Sequence, residues 1–180
     1  MTQKIAFLDR DGTINIDYGY VTQPAKVKLI ENAALAISEL RSKGFKVVIV
    51  TNQSAISRGM ASRQEVELTN QEVLKQLSLE DANAIVDQVL YSPAKPEDND
   101  DTRKPKIGML RGIDYDKSES LMVGDKMSDV EFGINAGLKK ENCFLLSLSK
   151  EKQEYQFCAK DLLHVVEIIS SRVSSRNLSK

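Results

Sequence analysis

One histidine and two cysteines are all the imidazole and thiol groups in this chain of 180 residues. Two cysteines make no disulfide framework, which excludes a small stapled secreted scaffold. Cys143 sits in the apolar run Cys143-Phe144-Leu145-Leu146 and reads as a small core residue, while nothing around Cys158 suggests reactivity. His164 lies among apolar residues near the end of the sequence and reads as a packed or surface residue, not a catalyst. No apolar run approaches the length that spans a bilayer, and no export segment precedes the first apolar run. The net charge of −1 gives no general attraction to nucleic acid or to an anionic membrane. Apolar residues at 41% and charged residues at 28% are the balance of a globular protein, and a reducing cytoplasm suits the thiols. The length allows one domain with a full core, placed at residues 1–172, and leaves a polar tail at 173–180.

What is present is a pattern of acids at the ends of apolar runs. Ile5-Ala6-Phe7-Leu8 leads into Asp9-Arg10-Asp11-Gly12-Thr13. A strand points alternate side chains the same way, so Asp9 and Asp11 flank one point in space where the strand ends. Gly12 permits a sharp turn there. Two carboxylates this close repel each other unless a cation lies between them or one holds a proton. A metal, a nucleophile and a proton donor at one strand tip fit the pattern; a strand followed by an Asp-Gly turn is the plain alternative.

Other segments repeat the theme. Val47-Val48-Ile49-Val50 is a β-branched run that reads as a buried parallel strand, and it ends in Thr51-Asn52-Gln53-Ser54, four hydrogen-bond donors. Arg103-Lys104-Pro105 puts two cations ahead of a short helical stretch at residues 107–110. Leu121-Met122-Val123 ends in Gly124-Asp125-Lys126-Met127-Ser128-Asp129, with acids four residues apart around a strand-to-helix junction. Between these segments the pattern predicts strands at 4–8, 46–51, 85–91, 121–124 and 143–146. A helix follows the first strand, with Ala33, Ala34, Leu35, Ile37 and Leu40 on its apolar face and Gly44 as its stop. The next opens with the capping box Ser62-Arg63-Gln64-Glu65, a third starts near Ser128, and the last carries Leu162 to Ile169. Strands alternating with helices imply an α/β fold: a three-layer α/β/α sandwich around a mostly parallel sheet, with ligands beyond the carboxyl ends of the strands.

In order and in structural context, these segments resemble the DxDGT, hydroxyl, lysine and GDxxxD motifs of the haloacid dehalogenase-like phosphohydrolases. Asp17-Tyr18-Gly19-Tyr20-Val21, Thr51-Asn52-Gln53-Ser54 with Arg58-Gly59, and Arg103-Lys104-Pro105 resemble the branch of heptose bisphosphate and histidinol-phosphate phosphatases. The resemblance implies a capless phosphatase with a Rossmann-like sheet and a Mg²⁺ cofactor. It implies Asp9 as nucleophile through an aspartyl-phosphate, Asp11 as general acid and base, and Thr51 and Lys104 as the groups holding the transferring phosphoryl. Asp9, Asp11 (through its carbonyl) and Asp125 become the metal ligands. Asp129 holds either the metal-bound waters or the lysine, or simply complements the helix dipole. Asp17, Tyr18, Gly19 and Tyr20 form a flap on the substrate; Thr51, Asn52, Gln53, Ser54, Arg103 and Lys104 complete the substrate contacts.

One departure stands out. The branch carries a zinc loop of cysteines and a histidine ahead of the Arg-Lys-Pro motif, and here residues 92–102 contain neither, so no thiolate or imidazole zinc site can form. The acidic stretch reads instead as a mobile, solvated loop. The substrate implied is a small phosphorylated sugar, D-glycero-D-manno-heptose 1,7-bisphosphate losing its 7-phosphate, with histidinol phosphate as rival. A polynucleotide 3′-phosphatase is a third reading, without a basic surface to support it, and a non-catalytic phosphate-binding protein on the same fold a fourth. Neither nucleic acid nor membrane is expected as a partner.

Overall fold

Alternation of side chains along four apolar runs gives the sheet two dry faces. The computed structural model describes residues 2–147 and 155–177. Its strands are β1 (Ile5–Leu8), β2 (Lys46–Asn52), β3 (Gln88–Ser92), β4 (Leu121–Gly124), β5 (Cys143–Leu146) and β6 (Cys158–Ala159). Their order in the sheet is β3-β2-β1-β4-β5-β6, with parallel ladders throughout. On one face Ala6, Leu8, Val47, Ile49, Leu121, Val123 and Phe144 enter a single cluster. Ile5, Phe7, Val48, Val50, Met122, Cys143 and Leu145 enter the cluster on the other. Period-2 alternation with both faces buried makes the runs uniformly apolar in sequence.

Three helices cover the first face. They are α1 (Ala33–Ser42), α2 (Arg63–Glu80) and α4 (Leu162–Asn177), which contribute Ile37 and Leu40, Val73 and Leu77, and Leu162 and Val165. The second face is covered by α3 (Met127–Asn135) through Val130 and Phe132, and by the 3₁₀ turn Gly108–Leu110. The capping box of α2 is formed: Ser62 Oγ accepts from Glu65 N at 3.2 Å, and Glu65 Oε2 accepts from Ser62 N at 2.7 Å. Each bond satisfies an amide near the helix start that has no partner within the helix.

Several expectations shift. Leu35 is 44% exposed, because the buried face of α1 centres on Ala36, Ile37 and Leu40. The third strand begins at Gln88 rather than 85, with Ile85 exposed; Asp87 turns its carboxylate onto the amide of Val47 at 2.8 Å and onto Arg41 at 2.6 Å. Helix α3 starts before Ser128, since Asp129 Oδ2 accepts from Lys126 N at 3.0 Å. The short β6 extends the sheet past β5 and was absent from the sequence reading. Helix α4 runs through Asn177, past the expected boundary at 172; the end of the expected tail, residues 178–180, lies outside the described residues.

The acidic stretch 92–102 is folded upon itself rather than merely solvated. Ser92 Oγ lies 2.9 Å from Thr102 Oγ1, Thr102 donates to Asp100, and Ser92 and Ala94 are buried. His164 accepts from Lys160 N at 3.2 Å on the first turn of α4 and takes no part in the cleft described below. Among the described residues no helix is long and apolar enough to cross a membrane.

Candidate active site

The carboxyl ends of β1, β2 and β4 and the loop after β3 border one open cleft of about 440 Å³. It brings together Asp9, Asp11, Asp17, Gly19, Tyr20, Thr51, Asn52, Gln53, Ser54, Arg103 and Lys104, with Lys126, Ser128 and Asp129 added. Two sequence candidates stand apart from this lining. Tyr18 is 62% exposed and does not line it. Asp125 forms an acidic group with Asp9 and Asp129, one carboxylate oxygen of each falling within 4.8 Å of the others.

Glycine sets how closely the strand tips approach. Gly12 has φ +81°, and a Cβ there would lie 2.6 Å from Asp125 Oδ2, so only glycine lets the turn after β1 pass the acid after β4. A Cβ on Gly124 would overlap the Asp129 side chain itself. These two contacts explain why a glycine accompanies each acid pair.

Lys104 is the hub. Its ammonium contacts Asp9 Oδ1, Asp129 Oδ1 and the carbonyl of Val50, each at 2.7 Å, which uses all three N–H donors. The main chain of Lys104 is fixed by a reciprocal pair with Asn52: its N–H donates to Asn52 Oδ1 at 3.0 Å, and Asn52 Nδ2 donates to its carbonyl at 3.2 Å. The Asn52 side chain therefore holds the lysine in place. Burial pushes the Asp9 carboxyl up to about 7; Lys104 opposes the rise, and Asp129 and Asp11 add to it. Burial also works against the charge of Lys104, but Asp9 and Asp129 outweigh it and hold the ammonium above its ordinary value.

Asp11 belongs to a separate network. Arg10 grips it with a fork, Nε to Oδ1 at 3.1 Å and Nη2 to Oδ2 at 2.8 Å. Asn15 donates to Oδ1 at 2.9 Å and Gln53 to Oδ2 at 2.9 Å. The same Gln53 amide donates to Thr51 Oγ1 at 2.9 Å, so the Thr51 hydroxyl accepts this bond and keeps its own proton to donate into the cleft.

Around the rim, Asp17 accepts from Gly19 N at 2.8 Å and pairs with Lys126 at 3.4 Å, tying the segment after β1 to the tip of β4. Arg103 reaches back to the carbonyl of Ala94 at 2.7 Å, while burial and the neighbouring Arg58 weaken its hold on its proton. The sequence reading left three participants without a firm place. Arg10 and Lys126 stand inside the quoted motifs, and their position beside acids was the available signal. Asp129 had two open roles, and the structure puts its carboxylate on Lys104 and on the α3 amide together.

A buried carboxylate beside a fixed ammonium, a second anchored carboxylate, a donor hydroxyl and an all-oxygen acidic group suit attack on a phosphate ester with a hard cation present. The family described as polynucleotide kinase 3 phosphatase matches residues 4–168. A D-glycero-beta-D-manno-heptose-1,7-bisphosphate 7-phosphatase of Haemophilus ducreyi is 40% identical over 149 residues, 77% of this chain and 81% of its own. The D-glycero-D-manno-heptose-1,7-bisphosphate 7-phosphatase of Chlorobaculum tepidum is 40% identical over 153 residues, 76% of each chain. Among solved structures, a D,D-heptose 1,7-bisphosphate phosphatase from B. bronchiseptica, complexed with magnesium and phosphate, superposes with a TM-score of 0.82 at 26% identity. It covers 94% of this chain and 99% of that one.

Proposed function

The chain belongs to the haloacid dehalogenase-like phosphohydrolases, within the family described as polynucleotide kinase 3 phosphatase, and from that membership we propose that it removes the 7-phosphate of D-glycero-D-manno-heptose 1,7-bisphosphate. The observation that carries this reading is Lys104 clamped between Asp9 and Asp129 on a cleft edged by Thr51 and Arg103.

In this reading an Asp9 oxygen attacks phosphorus. The bond from phosphorus to the sugar oxygen breaks, and Asp11 delivers a proton to that oxygen. Water then attacks the aspartyl-phosphate, Asp11 takes a proton from it, and phosphate departs with Asp9 restored. Thr51 donates to a phosphoryl oxygen, and Lys104 supplies positive charge beside the nucleophile. Asp9 and Asp125, with the main-chain carbonyl of Asp11, would hold Mg²⁺, since a close all-oxygen group suits a hard cation. When bound, that ion neutralises charge on the transferring group. Residues 92–102 offer no thiolate or imidazole, so zinc has no part in this reading. Asp17, Gly19 and Tyr20 face the sugar, and Arg103 meets the second phosphate. The protein works in the cytoplasm on a small metabolite.

The test is kcat/KM measured with Mg²⁺ on the heptose bisphosphate, on histidinol phosphate and on a 3′-phosphorylated oligonucleotide, beside an EDTA control and elemental analysis. The bisphosphate should rank first, EDTA should abolish turnover, and no stoichiometric zinc should be found. Histidinol phosphate or the oligonucleotide ranking first would move the assignment to that substrate. No turnover on any of them would end the phosphatase reading.

A further inference from the structure

Arg10 is the largest fully buried side chain among the described residues, and no role in the chemistry above is given to it. A buried guanidinium needs acceptors, and this one has four. Its fork holds both oxygens of Asp11, Nη1 donates to Asn70 Oδ1 at 2.6 Å, and Nη2 also donates to the carbonyl of Val21 at 2.9 Å. Asn70 lies on α2, and Val21 closes the segment whose residues 17, 19 and 20 edge the cleft. The guanidinium is therefore fixed from two sides before it touches Asp11, and a planar fork sets the plane of the carboxylate it binds.

The geometry points to Arg10 as a positioning residue for Asp11. It aims the carboxyl so that its proton reaches the leaving oxygen as the phosphorus–oxygen bond breaks. This rests on the phosphatase reading above. Asn15 and Gln53 each give Asp11 one further donor, and neither sets its plane.

Two probes of nearly equal shape separate this role from a general structural one. Phenyl phosphate needs a proton at its leaving oxygen, whereas p-nitrophenyl phosphate releases a stabilised anion that does not. The value of kcat/KM reports the step in which the alcohol leaves, before the aspartyl-phosphate is hydrolysed. General acid catalysis contributes about 10²–10⁴-fold, so Arg10→Lys, which keeps the charge and loses the fork, should lower kcat/KM for phenyl phosphate by roughly 10²-fold. The loss on p-nitrophenyl phosphate should be less than about 3-fold, because little proton transfer is needed there. Asn70→Ala loosens Arg10 while leaving it in place, and should shift the ratio of the two substrates the same way by a smaller factor. It decides the matter alone where Arg10→Lys fails to fold by circular dichroism. Equal losses on both substrates, or an unchanged ratio, overturn the inference. A wild-type protein inactive on both esters and on the heptose bisphosphate would instead overturn the phosphatase reading.

Discussion

One buried ammonium faces two buried carboxylates at the centre of the cleft, and this ratio fixes the sign of two substitutions. Asp9, Lys104 and Asp129 are all at most 5% exposed, with the lysine 2.7 Å from each acid. Without a bound cation the trio carries a surplus negative charge. Asp9→Asn removes the surplus and leaves a neutral Lys104–Asp129 pair, and the new amide oxygen can still accept from the ammonium. Lys104→Met does the reverse, leaving two carboxylates opposed at depth. Removing one partner of a buried ion pair costs about 3–5 kcal/mol. For a chain of 180 residues, at about 2–4 °C per kcal/mol, Tm should fall by roughly 6–20 °C.

The pH dependence follows from the same surplus. Burial raises Asp9 from the ordinary 3.8 to about 7, so between those values the native protein holds a proton that the unfolded chain has released. Its stabilising contribution is complete below pH 3.8, declines as pH rises, and is gone above about 7. Asp9→Asn should abolish turnover in Mg²⁺, and scanning calorimetry in EDTA from pH 5 to 8 should show that it melts no lower than wild type at pH 8. Its Tm should also fall less with pH. Added Mg²⁺ should stabilise wild type more than the variant. If Asp9→Asn melts several degrees below wild type at pH 8, or Lys104→Met leaves Tm unchanged, the charge argument fails.

Two further substitutions test neighbouring contacts. Gly124→Ala would drive a methyl group into Asp129, and overpacking of this kind costs about 1–3 kcal/mol, so Tm should drop while kcat falls through the displaced partner of Lys104. Wild-type kcat in a folded Gly124→Ala protein would show that Asp129 is dispensable to the lysine. Arg103→Ala should lower kcat/KM for the heptose bisphosphate roughly 10- to 150-fold, the worth of one charge-assisted contact, with a much smaller loss on a simple monophosphate. Equal losses would place Arg103 with the common reacting centre instead.

Much of the fold was legible because each central strand is a short, uninterrupted apolar run. Four strands and the capping box were visible in this way. Leu35 misled because a face read from apolar identity alone cannot say which side of a helix meets the sheet; packing of Ala36, Ile37 and Leu40 decided it. The β3 start misled because Ile85 is apolar yet exposed, and the pairing with β2 begins only at Asp87, whose N–H donates to the Val47 carbonyl and whose carboxylate accepts from the Val47 amide, each at 2.8 Å. β6 is two residues long, and its pairing depends on β5, which no local pattern announces. In the acidic stretch, hydroxyl pairs at positions 92 and 102 tie the segment together, and a reading by net charge misses contacts between residues ten apart.

The acids at the strand tips were legible; the way they are kept apart was not. Asp9 and Asp11 sit two residues apart, and sequence alone offers a shared cation or a shared proton as the remedy. The structure adds a side-chain cation for each. Asp9 is paired with Lys104, from the loop after β3, and Asp11 with its own neighbour Arg10, which is anchored on α2. The two partners lie 95 and 1 residues away, so neither the long-range pair nor the anchoring of the short one can be read from local spacing. Separate cations allow the carboxylates to do separate things. One is buried against an ammonium, while the other is held in a plane by a fork. Gln53 is the bridge between the second network and the cleft, donating to both Asp11 and Thr51. The Thr51 hydroxyl and the Asp11 carboxylate are thus joined through one amide. That arrangement makes the orientation of Asp11 depend on residues that never touch the substrate.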